Sequence, residues 1–153
     1  MIVVSDTTAI TSLIQIGRAG LLSQIYGEVF IPQRVEHELL AGHARLPGFI
    51  RVKNISNRPD YERLRLAVDA GEAEAIVLAK ELNADELLID EAKGRRVARA
   101  EGLQIIGLLG VLLEAKKRGL INSVREIAGE LETQATFHVS EAVKEIIFKA
   151  AGE

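Results

Sequence analysis

Short apolar runs alternate with longer amphipathic stretches along this chain, and that alternation predicts its elements. Ile2-Val3-Val4, Glu28-Val29-Phe30-Ile31, the stretch 48–55, Leu87-Leu88-Ile89 and Leu103-Gln104-Ile105-Ile106 each read as a strand. All are short, rich in aliphatic or β-branched residues, and bounded by polar, Pro or Gly positions. Between the first two, apolar residues at 9, 10, 13, 14 and 16 have helical spacing, and 21–26 makes a second short helix ended by Gly27. Pro32 opens a helix over 33–41, since Pro suits the first helical position, and Gly42 stops it. Asn57-Arg58-Pro59 breaks the third strand. Helices are then predicted over 61–68, from the boundary at Asp69-Ala70-Gly71-Glu72 through Leu82, and over 93–101 before Gly102. From Gly107 onward the pattern is helical, over 108–118, 124–131 and 140–150.

About five buried strands separated by helices predict an α/β fold, with a parallel sheet covered on both faces. The chain has no internal repeat or linker, so residues 1–153 are expected to form a single domain. Right-handed crossovers bring the C-terminal ends of parallel strands to one edge of the sheet. Asp6 directly follows the first strand, and Asp90 follows the fourth. Glu38 lies roughly two turns into the helix after the second strand, and Glu72 opens the helix that runs toward the fourth. Four acids distant in sequence are thereby expected at one place, where open α/β sheets carry their sites.

Composition narrows the chemistry. With no cysteine, thiol catalysis, disulfides and zinc–thiolate centres are excluded. His37, His43 and His138 share no ligand spacing, and neither GxGxxG nor GxxxxGK[ST] occurs. The net charge of −3 does not advertise nucleic-acid binding, which leaves only a local basic patch for that purpose. No run approaches a membrane span and no stretch reads as a leader, so a cytoplasmic protein that engages no membrane is expected.

Clustered carboxylates raise one another's pKa unless a countercharge is present. Hard divalent cations with oxygen ligands are the usual remedy, and Mg²⁺ in particular binds through a few carboxylates plus substrate phosphates. Each acid also has a plainer role. Asp6 or Thr7 can cap the following helix, as Asp90 can for the helix through Arg99. Asp69 and Glu72 stand at capping-box spacing, and Glu38 fits a solvated helix position. Lys93-Gly94-Arg95-Arg96-Val97-Ala98-Arg99 begins three residues after Asp90. Its cations suit either the phosphates of a nucleic-acid strand or a solvated helix face with Arg96 or Arg99 paired to Glu91 or a nearby acid.

The opening strand with Asp6-Thr7-Thr8, the segment Gly71-Glu72-Ala73-Glu74-Ala75-Ile76, and Leu88-Ile89-Asp90-Glu91 followed by Gly94-Arg95-Arg96 resemble the PIN-domain nucleases. More narrowly they resemble the uncharacterised PIN-like branch related to VapC-type toxins. Gly107-Leu108-Leu109-Gly110-Val111-Leu112, Ala115-Lys116, Gly119-Leu120-Ile121 and Ala151-Gly152-Glu153 fit the same branch, so the resemblance covers nearly the whole chain.

The resemblance implies a three-layer α/β/α domain with an acidic pocket that binds Mg²⁺ or Mn²⁺ and hydrolyses RNA phosphodiester bonds. On that carry-over Asp6, Glu38, Glu72 and Asp90 are the catalytic and metal-holding acids. Glu91 is a further ligand or water-binder, and Thr7 or Thr8 holds a water or positions the phosphate. Relatives often carry Asp where this chain has Glu72, which leaves Glu74 as the competing third acid. Lys93, Arg95 and Arg96 are the expected substrate contacts. A toxin of a toxin–antitoxin pair, with an antitoxin protein as partner, is implied by analogy with relatives. The alternative from another class is a PIN-fold interaction module without useful catalysis, which would show no metal-linked stabilisation. The nearly apolar segment Leu108–Leu113 suits either the core or the interface of a homodimer, and a homodimer is the expected assembly.

Overall fold

A computed structural model describes residues 1–153. In chain order the elements are β1 Val3–Ser5, α1 Thr7–Gln15, α2 Gly20–Tyr26, β2 Val29–Ile31, α3 Gln33–Gly42, β3 Ile50–Val52 and α4 Arg58–Arg65. They continue with α5 Ala70–Glu81, β4 Glu86–Leu88, α6 Ala92–Ala100, β5 Ile105–Ile106, α7 Leu108–Lys117, α8 Val124–Gln134 and α9 Glu141–Ala150. The five strands form one parallel sheet in the order β3-β2-β1-β4-β5. This is the α/β/α three-layer arrangement expected from the alternation of short strands and helices.

Period-two alternation divides the apolar residues between the sheet's two faces. Val3 and Leu88 face a larger core built with α1, α2, α7 and α8, including Leu13, Leu22, Leu112 and Ile127. Their neighbours Val4 and Leu87, together with Ile89, face a second core with Leu64 of α4, Ile76 and Leu78 of α5, and Ala98 of α6. Gly71 through Ala79 of α5 are all buried, so this helix carries its two glutamates into the interior with it. The apolar segment of α7 is consumed in the larger core, where Leu108, Val111 and Leu112 are fully buried. One chain therefore accounts for a pattern that would equally have suited a subunit interface.

Several boundaries shift for identifiable reasons. The third strand is only Ile50–Val52 rather than 48–55, because its partner β2 offers three residues for pairing. The helix expected from Tyr61 starts instead at Arg58 and ends at Arg65. Pro59 falls in its first turn, where a missing N–H costs nothing, and the Asn57 side chain accepts the Asp60 N–H at 3.0 Å. Ile89 lies just past β4, yet its N–H still donates to the Ile106 carbonyl. No helix is long and apolar enough to cross a membrane.

Strand order reverses between β1 and β4. From β1 the chain moves outward through β2 to β3, then crosses back to build β4 and β5 on the other side. Such a switch point opens a crevice beyond the C-terminal strand ends. Asp6 and Asp90 stand there, and the Asp6 N–H donating to the Leu88 carbonyl at 3.0 Å ties the two strand ends together.

Candidate active site

Asp6 leaves β1 in extended conformation at the N-cap of α1 and is only 5% exposed. Its side chain faces a cavity of about 230 Å³ lined by Asp6, Thr7, Thr8, Glu38, Asp69, Gly71, Glu72 and Glu91. Four elements meet in this cavity: α1 gives the threonines, α3 gives Glu38, the start of α5 gives Asp69 to Glu72, and the start of α6 gives Glu91. Thr7 Oγ1 donates to Glu38 Oε1 at 3.3 Å, which holds the α3 carboxylate over α1. Two glycines make the convergence possible. A Cβ at Gly71 would run into the Glu38 carboxylate, and one at Gly94 would run into the Glu72 carboxylate and the Ile89 side chain.

Glu72 sits in the first turn of α5, where its N–H donates to Asp69 Oδ1 at 2.8 Å. That is half of a capping box; the Glu72 carboxylate turns to the cavity instead of completing it. Glu74, two residues on, does something different. Its Oε1 accepts the Arg34 N–H at 3.0 Å near the start of α3, and its Oε2 pairs with Arg58 at 3.6 Å. Of the two glutamates only Glu72 lines the cavity.

Asp90 is placed beside the cavity rather than in its lining. Its Oδ1 accepts the Leu108 N–H at 3.0 Å, so it caps α7 and not α6, whose N-cap is Glu91. It stands next to Arg95, whose Nη1 donates to the Ile89 carbonyl at 3.1 Å. Asp90 is near enough to Asp6 to act on its charge, yet it forms the wall of a separate groove on the far side. The predicted quartet thus comes together as three acids in one cavity, with Asp90 at its partition. The closest carboxylate group is Asp69, Glu72 and Glu91, which bring one oxygen each within 4.8 Å of one another. Asp69 was foreseen only as a capping residue. A useful signal was available, because an N-cap side chain and the N3 side chain share one side of a helix start.

The electrostatics of this arrangement are unfavourable as it stands. Burial, reinforced by the charges of Asp90 and Glu72, holds the Asp6 carboxyl well above the usual carboxylate range, with only the Ala9 N–H pulling it down. Glu72 is raised by burial and then by Asp69 and Glu91. Asp90 is raised by burial and drawn back by the Leu108 N–H and Arg95. Glu38 is raised by burial and Asp69, against the Thr7 hydroxyl, Arg34 and His37. Four buried side-chain polar atoms lack any hydrogen-bond partner: Asp6 Oδ1, Glu72 Oε2, Asp90 Oδ2 and Tyr26 Oη. Three of them are carboxylate oxygens at this one crevice. Buried polar groups without partners are costly, and anionic ones more so. The donor set is all oxygen, which fits a hard divalent cation.

The expected substrate contacts lie around the rim. Thr8, Lys93 and Arg96 are exposed, and Arg95 is half-buried. None of Lys93, Arg95, Arg96 and Arg99 forms an ion pair with a carboxylate. The pairing of Arg96 or Arg99 with Glu91, open from the sequence, is not made. Lys93 borders a small pocket with Arg65, Asp69, Glu72 and Glu91, adjoining the acid cavity.

A family model described as PIN domain matches residues 2–153. No curated protein and no solved structure matches the chain.

Proposed function

The chain belongs to the PIN-domain family, a nuclease fold, and from that premise we propose that it is a divalent-metal-dependent endoribonuclease. The observation that carries this reading is the convergence of three buried, unpartnered carboxylate oxygens, on Asp6, Glu72 and Asp90, at the switch point of the sheet. A site built only for stability would not leave such groups unpaired.

Asp6, Glu72 and Asp90 would hold Mg²⁺ or Mn²⁺, with Glu38, Asp69 and Glu91 completing the acidic surround. A bound divalent cation supplies an activated water and offsets the charge that builds on the phosphodiester during in-line displacement. Thr7 fixes Glu38 by its hydrogen bond, and Thr8 offers a hydroxyl at the cavity rim. Burial raises the Asp90 carboxyl, and Arg95 beside it, with the Leu108 N–H, draws it part of the way back. Lys93 and Arg96, free of acidic partners, are available to backbone phosphates. RNA as the substrate, and a toxin role with an antitoxin partner, are supported by the resemblance to VapC-type toxins. Growth arrest on expression, relieved by an Asp6→Asn substitution, tests the toxin role.

The reaction itself is tested with end-labelled single-stranded RNA and DNA of the same sequence, incubated with Mg²⁺ or Mn²⁺ and with chelator. Internal cleavage of RNA that chelator abolishes is the expected result. Absence of cleavage, equal cleavage of DNA, or cleavage indifferent to chelator overturns the proposal.

A further inference from the structure

A groove of about 780 Å³ begins at Asp90, on the side away from the acid cavity. It runs between α6, the β5–α7 corner and the segment from Phe137 to Ile147. One side is cationic, formed by Arg95, Arg96 and Arg99. Arg96 and Arg99 are exposed, stand three residues apart on one helix face, and meet no carboxylate. The other side is apolar and includes Leu109, Phe137 and Val143, the last 42% exposed.

An anion-seeking edge facing an apolar edge suits a ligand that is charged along one side and flat and apolar along the other. A nucleotide in a single strand has that form. The groove's position favours it over an acidic protein segment, because it opens onto Asp90. A strand whose reacting phosphate lies at the acids must lead its next nucleotide away from them. The acid cavity would repel that nucleotide's phosphate, whereas the groove would attract it.

We propose that this groove seats the nucleotide adjoining the cleaved bond, with its phosphate on Arg96 and Arg99 and its base in the apolar half beside Phe137 and Val143. The proposal rests on the nuclease reading and adds to it a place for the strand. Base–aromatic stacking of this kind tolerates any base, so the subsite selects unpaired strands rather than a sequence.

The test is fluorescence anisotropy of the full chain with a short fluorescein-labelled single-stranded RNA, at several salt concentrations in chelator, beside the cleavage assay. Arg96→Gln with Arg99→Gln should weaken binding and reduce the slope of log affinity against log salt by about 0.7, for the one phosphate that both arginines hold on a single strand. Phe137→Ala should weaken binding about ten-fold, in the range seen for a lost base stack, with the salt slope unchanged. Val143→Gln, at an exposed position that folding does not depend on, should act in the same direction. Arg51→Gln, on the opposite edge strand, controls for lost charge. Cleavage by the wild type with groove variants that bind RNA normally overturns the groove and leaves the nuclease standing. RNA held through the groove without cleavage does the reverse. Failure to bind RNA overturns the groove and, where cleavage is absent too, the nuclease with it; a polyglutamate peptide bound in place of RNA, with the same variant dependence, assigns the groove to a protein and overturns the proposal.

Discussion

Replacing Asp6 by Asn should stabilise the metal-free protein, although Asp6 lies at the centre of the site. Asp6 is 5% exposed, one of its oxygens has no partner, and its neighbours are the acids Asp90 and Glu72. Asn removes the charge, keeps the shape, and can donate its amide hydrogens to the adjacent carboxylates. As an N-cap for α1 it is equivalent to Asp, so the helix start loses nothing. Relieving one buried unsatisfied group is worth about 1–3 kcal/mol. For a chain of this size each kcal/mol moves Tm by roughly 2–4 °C, so a rise of about 2–12 °C is expected in chelator at pH 8. Saturating Mg²⁺ or Mn²⁺ should narrow or reverse the gap. A ligand at a hundredfold excess over its Kd stabilises the wild type by about 2.7 kcal/mol, and the Asn variant gains less. Differential scanning fluorimetry with and without metal reads both effects. A variant less stable than wild type in chelator, or one that gains as much from metal, would refute the reasoning.

The same electrostatics set a pH dependence. Asp6, Glu72 and Asp90 are all raised above their unfolded values, so the folded state holds extra protons and the metal-free protein should lose stability as pH rises from about 5 to 8. Melting curves in chelator measure this, and added metal should flatten the slope. Glu153 runs the other way: it accepts hydrogen bonds from Lys116, Ser123 and the Val124 and Arg125 N–H groups and is held down at about 2, so its contribution fades only as pH falls below about 4. Glu74→Gln should cost about 1–3 kcal/mol of stability through weakened charge-assisted bonding to the Arg34 N–H and Arg58, read as a lower Tm, without altering metal-linked stabilisation. Gly71→Ala should displace the Glu38 carboxylate and cut activity by about ten-fold or more, the scale of a small misplacement in a catalytic site, with little change in Tm.

Much of this site is legible in the sequence, because it depends on topology. Parallel strands place Asp6 and Asp90 at one edge whatever the loops do, and the apolar runs around Val3-Val4 and Leu87-Leu88 are enough to locate both. Glu38 was harder, since a lone Glu on an amphipathic helix has no sequence mark. Its place comes from Gly71, which lets α3 approach α5 closely. The choice between Glu72 and Glu74 turned on which way α5 is rotated, and both glutamates are buried. Asp69 escaped because its capping bond to the Glu72 N–H explained it fully. The plainer role open to Asp90, a cap for the helix that follows it, is not the one it takes: its bond goes to the Leu108 N–H at the start of α7, a pairing between residues eighteen apart that no local pattern encodes. The edges of β3 and α4 were set by the length of a partner strand and by the tolerance of a first helical turn for Pro59.

The most direct measurement is the single-turnover cleavage rate of end-labelled RNA by wild type, Asp6→Asn and Asp90→Asn in saturating Mn²⁺, with Glu74→Gln beside them. Both aspartate variants should lose cleavage by at least about a hundredfold, as expected when electrostatic stabilisation at the reacting group is removed, while Glu74→Gln keeps its rate. Cleavage that persists in both aspartate variants, or that fails only with Glu74→Gln, would place the chemistry elsewhere and contradict the assignment of these acids.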